Sequence, residues 1–257
     1  MNLPANPNAD DAVRVRYRIR FAKVDLLRWI SHRDLAMLWD RLGRRVGLHF
    51  SMTEGFHPKP RINFPSALAL GIESDNEVVE LDLASEISPD ELLQRLVSDQ
   101  QPGLHFRRVE RLPDLTSKAR VATMQYRIDP PTDVSRDELD AGIKRVMTTE
   151  SITLHRKKKD TAVRPSDQIE TFERRGDHLH GDDLHGDYLH LVMHDVAGAV
   201  MKPDEVLAAM PIDDFLARGG RIRRTDVRLA NPYTGDDVAE VEIPSPFPSP
   251  RHHRVST

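Results

Sequence analysis

An unbroken alternation of apolar and basic side chains near the start of the chain strongly constrains its fold. Apolar residues occupy every odd position from Val13 to Phe21, with an arginine at each even position between them. Successive side chains of a β-strand point to opposite faces, so this two-residue period predicts a strand with one buried face. The basic face consists of Arg14, Arg16, Arg18 and Arg20.

A helix is predicted directly after this strand, because start and stop signals frame an apolar stripe. Ser31 is the predicted N-cap, and Asp34 three residues later completes a capping box. Gly47 is the predicted end of the helix. The stripe expected to face the core consists of Leu35, Leu38, Trp39, Leu42 and Val46.

Further strand and helix signals give the order β-α-β-β-α-β over residues 12–115, and a less regular repetition of that order over residues 120–230. This order is the split βαβ arrangement of a ferredoxin-like domain. We therefore expect an α+β fold, a tandem of two ferredoxin-like (split βαβ) units with antiparallel sheets. Residues 1–11 and the tail 231–257, rich in Pro and Ser, are predicted to be disordered.

Composition excludes several classes of protein. The chain has no cysteine, which excludes disulfides, thiolate metal sites and cysteine nucleophiles. No apolar run approaches the roughly 18 residues that a membrane helix needs. Residues 1–11 lack the basic start and apolar core of a signal peptide. We expect a cytoplasmic location, no membrane contact and no cofactor.

The net charge of -4 conceals a strong asymmetry along the chain. Residues 12–65 contain twelve Lys or Arg against four Asp or Glu, whereas residues 73–100 contain one against nine. Two interpretations of the arginine face follow from this. The arginines lie on an open sheet face and contact phosphate, or the face has no such role and is either solvated or paired with Glu80 and Asp82 of a neighbouring strand.

The segment from Gly55 to Arg61 predicts a rigid loop that presents its side chains, since neither a buried strand nor a buried helix needs such a run. His32 is expected at the first position of the predicted helix, where the positive end of the helix dipole favours an anion. If the loop folds over this helix start, a phosphate-sized space is surrounded by His32, Asp34, His57, Lys59 and Arg61.

Three roles remain open for this cluster. It binds a phosphate group, His32 and His57 catalyse general acid–base cleavage of RNA, or the two histidines only fix the loop through hydrogen bonds to the backbone. His32 and His57 are thus the candidate catalytic residues, although we favour a protein without catalytic activity.

A five-residue unit of the type Gly-Asp-x-Leu-His occurs three times within the predicted loop 176–190. His and Asp are ligands for Zn²⁺ or Ni²⁺. A repeat of five does not keep side chains on one strand face, so a sequence expansion is the simpler interpretation. The candidate metal ligands are His178, His180, His185 and His190.

Several motifs resemble those of the radical SAM-linked protein family, also called domain of unknown function 2344. The most specific are Arg28-Trp29-Ile30-Ser31-His32 and Gly55-Phe56-His57-Pro58, followed by Ala67-Leu68 and Leu70-Gly71. The resemblance covers roughly residues 13–229, and its matches are weaker in the second half of the chain. It implies an accessory role beside a radical SAM enzyme, because family members occur fused or adjacent to such enzymes, often near genes for RNA processing and ribosomal proteins. Without cysteine, this chain cannot itself ligate an iron–sulfur cluster through thiolates.

We therefore expect a non-catalytic RNA-binding accessory protein that works with a radical SAM enzyme in RNA modification or ribosome-related processing. One alternative is a metal-independent endoribonuclease that uses His32 and His57. Another is a protein-interaction module without RNA contact, whose acidic segment 73–91 docks a basic partner. The expected contacts to RNA or phosphate are Arg14, Arg16, Arg18, Arg20, Arg28, His32, His57, Lys59 and Arg61.

Overall fold

A computed structural model describes residues 14–156, 159–176, 186–196 and 200–241. The chain divides into two compact units. The first comprises the residues up to Gly71, the segment Glu77–Ala119 and the residues from Pro232 onward. The second comprises Ile72–Asn76 and Arg120–Asn231.

The described residues form an α+β fold of mostly antiparallel strands, as predicted. The helices of the described ranges are α1 (His32–Arg45), α2 (Pro89–Ser98), α3 (Arg136–Thr148) and α4 (Pro203–Ala208). The strands are β1 (Val15–Lys23), β2 (Ile62–Asn63), β3 (Glu73–Leu83), β4 (Leu104–Leu112), β5 (Val121–Asp129), β6 (Ile152–Arg156), β7 (Lys159–Val163), β8 (Ile169–Gly176), β9 (Asp187–His194), β10 (Arg221–Leu229) and β11 (Val238–Glu240). Among these helices, none is long and apolar enough to cross a membrane.

In the first unit the strand order is β11-β4-β1-β3, and β2 pairs with β3. β1 and β4 are antiparallel, with Ile19 opposite Val109. The apolar face of β1 is buried as its period predicts, since Tyr17, Ile19 and Phe21 are all inaccessible to solvent. The hydroxyl of Tyr17 donates to the carbonyl of Ile87 at 2.6 Å, which satisfies the polar end of this core side chain.

Helix α1 covers the apolar face of β1 through the stripe that the sequence predicted. Leu35, Trp39 and Leu42 are buried, and the Trp39 ring packs edge-on against Phe21 and Phe106. Ser31 is the N-cap, and its hydroxyl accepts a hydrogen bond from the backbone amide of Asp34.

In the second unit the strand order is β10-β5-β9-β8, with each neighbouring pair antiparallel. Helix α3 starts in a capping box formed by Ser135 and Glu138. β6 and β7 form a separate two-stranded hairpin. β8 was not predicted, because the segment before β9 has no clear strand period.

The polar sequence of residues 73–76 is typical of a turn, but these residues do not form one. They begin β3 and pair in parallel with β10, with Ser74 opposite Arg224. The polar side chains find partners there: the Ser74 hydroxyl donates to the Arg224 carbonyl at 3.0 Å, and the Asn76 amide donates to Asp226 at 2.8 Å. Of the apolar segment 62–71, only Ile62–Asn63 forms a strand.

The prediction of disorder over 231–257 is wrong for β11, which pairs with β4 in the first unit. Ala239 lies opposite Val109 and is buried in the apolar core, which explains why so short and polar a segment is ordered. Residues 1–11 and 242–257 lie outside the described residues.

Candidate phosphate-binding cleft

A buried ion pair joins the basic face of β1 to the acidic strand β3. The Arg18 guanidinium donates to Oε1 of Glu80 from Nε at 3.2 Å and from a terminal nitrogen at 3.0 Å. Both side chains are only 1% exposed. Glu80 also accepts hydrogen bonds from the backbone amide of Ala119 and from the side-chain amide of Asn63. Both oxygens of the Glu80 carboxylate therefore accept hydrogen bonds from groups of the protein itself.

Asp82, two residues along β3, is held by Arg14 and Arg16. Nε of Arg16 donates to Oδ1 of Asp82 at 2.7 Å, and Nε of Arg14 donates to Oδ2 at 2.7 Å. Arg16 also donates to the carbonyl of Thr116 at 2.9 Å. The hydrogen bond to Asp82 is the main reason why the pKa of Arg16 is raised.

These hydrogen bonds correct the expectation that the whole arginine face is open. Arg18 is buried and paired, so it is not available to an external phosphate, and Arg20 is half-buried. The alternative interpretation, pairing with Glu80 and Asp82, is confirmed for Arg14, Arg16 and Arg18. The physical reason is that the acids of the neighbouring strand β3 lie beside the arginines on the same sheet face, and the connecting segment 113–119 bonds to Arg16 and Glu80 there.

The interpretation of the acidic segment 73–91 as a docking face changes for the same reason. Glu77, Glu80 and Asp82 are buried, at 4%, 1% and 5% exposure. At Glu80 and Asp82, the charge asymmetry of the sequence therefore reflects internal charge pairing between strands of one unit. As a docking face for a basic partner, the segment keeps only its other acids, such as Glu86, whose side chain is 62% exposed.

A solvent-accessible cleft of about 150 Å³ opens beside these pairs. Its charged lining consists of Arg14, Arg16, Arg61, Lys118, Glu80 and Asp82. The remaining lining residues are Thr53, Pro60, Ile62 and Asn63. Four cations face two carboxylates that are already bonded within the protein, so the cleft keeps an excess of positive charge.

The loop from Thr53 to Lys59 is closed at its base, beside the cleft. The backbone amide of Thr53 donates to the Lys59 carbonyl at 2.8 Å, and the Lys59 amide donates to the Thr53 hydroxyl at 3.0 Å. Nε of Arg61 donates to the carbonyl of Met52 at 2.9 Å. The predicted loop therefore exists and presents its tip to solvent, with Phe56, His57 and Lys59 exposed.

His32 lies at the first position of α1, as predicted, but the helix start already carries an anion. The Ser31 hydroxyl donates to the Asp34 carboxylate at 2.7 Å while accepting from the Asp34 amide. The His32 ring packs edge-on against Phe64, with 5.2 Å between centroids. The expected pull of this helix start on an external phosphate is therefore weakened by Asp34.

Over the described part of the chain, no hydrogen bond, ion pair or ring contact joins His32 to His57. His57 belongs to the loop tip, whereas His32 packs on Phe64. The guanidinium carbon of Arg28 lies 5.1 Å from the ring centroid of Trp29, which is three residues before His32 in the sequence. The acid–base pair that the endoribonuclease alternative requires is not assembled by any of these interactions.

Of the four candidate metal ligands, His178, His180 and His185 lie outside the described residues. His190 lies on β9, opposite Glu173 of β8, and burial is the main cause that lowers its pKa. Within the described ranges, no cluster of three or more His, Asp or Glu side chains could hold a metal ion.

Sequence reasoning missed three residues that line the cleft: Thr53, Asn63 and Lys118. Lys118 lies in an irregular segment between β4 and β5, where no periodic pattern signals its direction. Two exposed aromatic side chains were also missed as candidates, Phe56 and Trp29, which are 102% and 58% exposed. Their signal was available, because neither belongs to a predicted apolar stripe.

The α+β fold and the charged cleft define only a general class of protein. Comparison with a family model identifies the family within that class. The model described as "Uncharacterized protein conserved in bacteria (DUF2344)" matches residues 16–180. This match spans more than half of the chain, and the protein belongs to that family. No curated protein matches the chain.

The buried pair between Arg18 and Glu80 leads to a prediction about stability. Arg18→Met leaves the Glu80 carboxylate buried beside neutral donors, and we expect a loss of about 3–5 kcal/mol in the free energy of unfolding. Arg18→Met/Glu80→Gln removes both charges and keeps an acceptor for the Ala119 amide, so it should be less destabilised than Arg18→Met alone. Urea denaturation measures both.

Arg44→Gln is the matched control, because it breaks an exposed pair with Asp40 on α1. Its cost should stay within about 0.5 kcal/mol. If Arg18→Met costs no more than this control, the buried pair does not have the importance assigned to it.

Proposed function

We propose that this protein is a cytoplasmic, non-catalytic RNA-binding protein that works beside a radical SAM enzyme in RNA modification or ribosome-related processing. The observation that carries the RNA contact is the cleft lined by Arg14, Arg16, Arg61 and Lys118. Guanidinium and ammonium groups that converge on one accessible space are the usual partners of phosphate oxygens.

The cleft retains capacity for an anion after its internal bonds are counted. Arg14 has a side chain 42% exposed although it bonds Asp82. Arg61 uses Nε for the Met52 carbonyl, and one of its terminal nitrogens lies 4.0 Å from Glu54, whose side chain is fully exposed. Such an exposed pair is weak and can yield to a phosphate group. Arg14 and Arg61 are therefore the proposed phosphate contacts, and His57 at the loop tip and Lys59 at the loop base extend them.

Support for RNA, as opposed to another anion, comes from the resemblance to the radical SAM-linked family, whose members occur near genes for RNA processing. The absence of cysteine supports the division of labour in the proposal. In this proposal an iron–sulfur cluster bound by thiolates belongs to a second chain, and the present chain contributes RNA binding.

The proposed fold is a tandem of ferredoxin-like units. In the first unit the four strands of the βαββαβ order are β1, β2, β3 and β4, and they lie in the order 4-1-3-2. In the second unit β5, β8, β9 and β10 follow the same order 4-1-3-2, with the hairpin β6–β7 inserted after α3. This shared order supports the proposal. Superposition of the two units in a crystal structure tests the proposed tandem fold. If, after superposition, the helices of one unit lay on the opposite sheet face from those of the other, the proposal would be contradicted.

A prediction about RNA follows from the cleft. Arg14→Gln/Lys118→Gln should weaken binding to a single-stranded RNA of roughly 12 nucleotides, within the usual range of single-strand site sizes. The slope of log affinity against log salt should fall by about 0.7 for each phosphate that the protein no longer neutralises. Fluorescence anisotropy between about 50 and 200 mM salt measures this effect.

Arg44→Gln is the control for the removal of a positive charge, because it removes a cation from the exposed side of α1 and not from the cleft. Its salt slope should equal that of the unaltered protein. Equal affinity and slope for the cleft variant and the unaltered protein would contradict the proposed site. The same incubations test the endoribonuclease alternative, since appearance of cleaved RNA that requires His57 would favour it over a non-catalytic role.

The proposed partner has its own test. The protein purified from its native cells under mild salt should bring down a protein with the cysteine ligands of a radical SAM cluster, identified by mass spectrometry. Nuclease treatment of the lysate separates a direct protein contact from a link through RNA. Recovery of RNA without any such enzyme would contradict the partnership and leave the RNA contact standing.

A further inference from the structure

The phenyl ring of Phe56 is fully exposed, at 102% of its reference accessibility. It stands at the tip of the loop Thr53–Lys59, between Gly55 and His57. An apolar ring of this size gains free energy by leaving water, and here it covers no part of the core. A ring held out in this way is available to a ligand.

The backbone of the loop is constrained at its closed base. Two hydrogen bonds join Thr53 and Lys59, and the backbone amide of Arg61 donates to the carbonyl of Ser51 at 2.9 Å. Pro58 and Pro60 each fix one backbone angle on the returning side of the loop. A ring on a stiff support loses little conformational entropy when it stacks on a partner.

The same loop base lines the cationic cleft. Thr53, Pro60 and Arg61 belong both to the loop or its base and to the lining of the cleft. An exposed aromatic ring therefore stands at the tip of a loop whose base lines a space surrounded by arginine and lysine. Proteins that bind single strands combine these two elements, a positive groove for the backbone and aromatic rings for the bases.

We infer that Phe56 is a stacking platform for an unpaired base of an RNA strand whose phosphates occupy the cleft. This inference rests on the proposed RNA contact and narrows it to single-stranded RNA. In a duplex each base is already stacked between its neighbours, so a rigid ring that approaches from outside finds no free base face. The positive charge beside the ring favours a nucleic acid over an apolar segment of a protein.

The test compares two probes and three variants by fluorescence anisotropy. The probes are a single-stranded RNA of roughly 12 nucleotides and its fully paired duplex. Phe56→Ala should weaken binding of the single strand about tenfold, in line with the loss of one stacked base, and leave duplex affinity unchanged. Phe56→Trp keeps a stacking ring and should retain the affinity. Val97→Ala, which trims another exposed apolar side chain, on α2, is the matched control.

A direct signature comes from tryptophan fluorescence. Trp39 is buried, whereas Trp29 is exposed, so Trp29→Phe leaves Trp39 as a constant background. In the Phe56→Trp/Trp29→Phe protein, the tryptophan at position 56 should be quenched when the single strand is added, because a stacked base contacts the indole. Phe56 touches no core residue, so Phe56→Ala and Phe56→Trp should keep the melting temperature of the unaltered protein.

The outcomes separate the inference from the function on which it rests. If Phe56→Ala binds the single strand as tightly as the unaltered protein, and the tryptophan at position 56 is not quenched, Phe56 does not stack. Salt-dependent binding through the cleft would still support the proposed function. If Phe56→Ala instead removes a copurifying protein and leaves RNA affinity intact, the ring serves a protein partner and the inference is wrong. If neither probe binds the unaltered protein, the RNA contact itself is wrong.

Discussion

The buried charge pairing between β1 and β3 is the constraint on which the first unit depends. Arg18 and Glu80 are each 1% exposed, and two charges removed from water stabilise a fold only when their geometry and further hydrogen bonds satisfy them. Glu80 meets that condition because Ala119 and Asn63 also donate to it. The alternation of arginine on β1 and of acid on β3 then fixes their register, since a shift by one residue would bury unpaired charge.

The cleft is a consequence of this pairing. Asp82 holds Arg14 and Arg16 beside the loop that follows α1, and Glu80 accepts a hydrogen bond from the backbone amide of Ala119, next to Lys118. The cations are therefore positioned by bonds inside the protein before any ligand arrives. A preorganised set of donors binds a phosphate with less loss of entropy than flexible side chains do.

Much of the first unit was predictable, because its signals are local. The two-residue period over residues 13–21 and the capping residues Ser31 and Asp34 depend on neighbours within a few positions. What the sequence could not decide was the fate of the arginine face, since Glu80 is 62 residues from Arg18 and both interpretations fitted the composition. The contribution of Lys118 and the pairing of Ser74 with β10 likewise depend on interactions between residues far apart in the chain.

The strand β11 gives the first unit an unusual dependence on the order in which the chain is made. β4 is complete by Leu112, but its outer neighbour is not synthesised until Glu240, after all of the second unit has emerged. During that interval the backbone groups of β4 that later face Val238, Ala239 and Glu240 are an open edge, which is where nascent chains associate wrongly. A chain cut after Asn231 keeps this edge permanently, so a boundary drawn there for expression would remove a strand of the first unit.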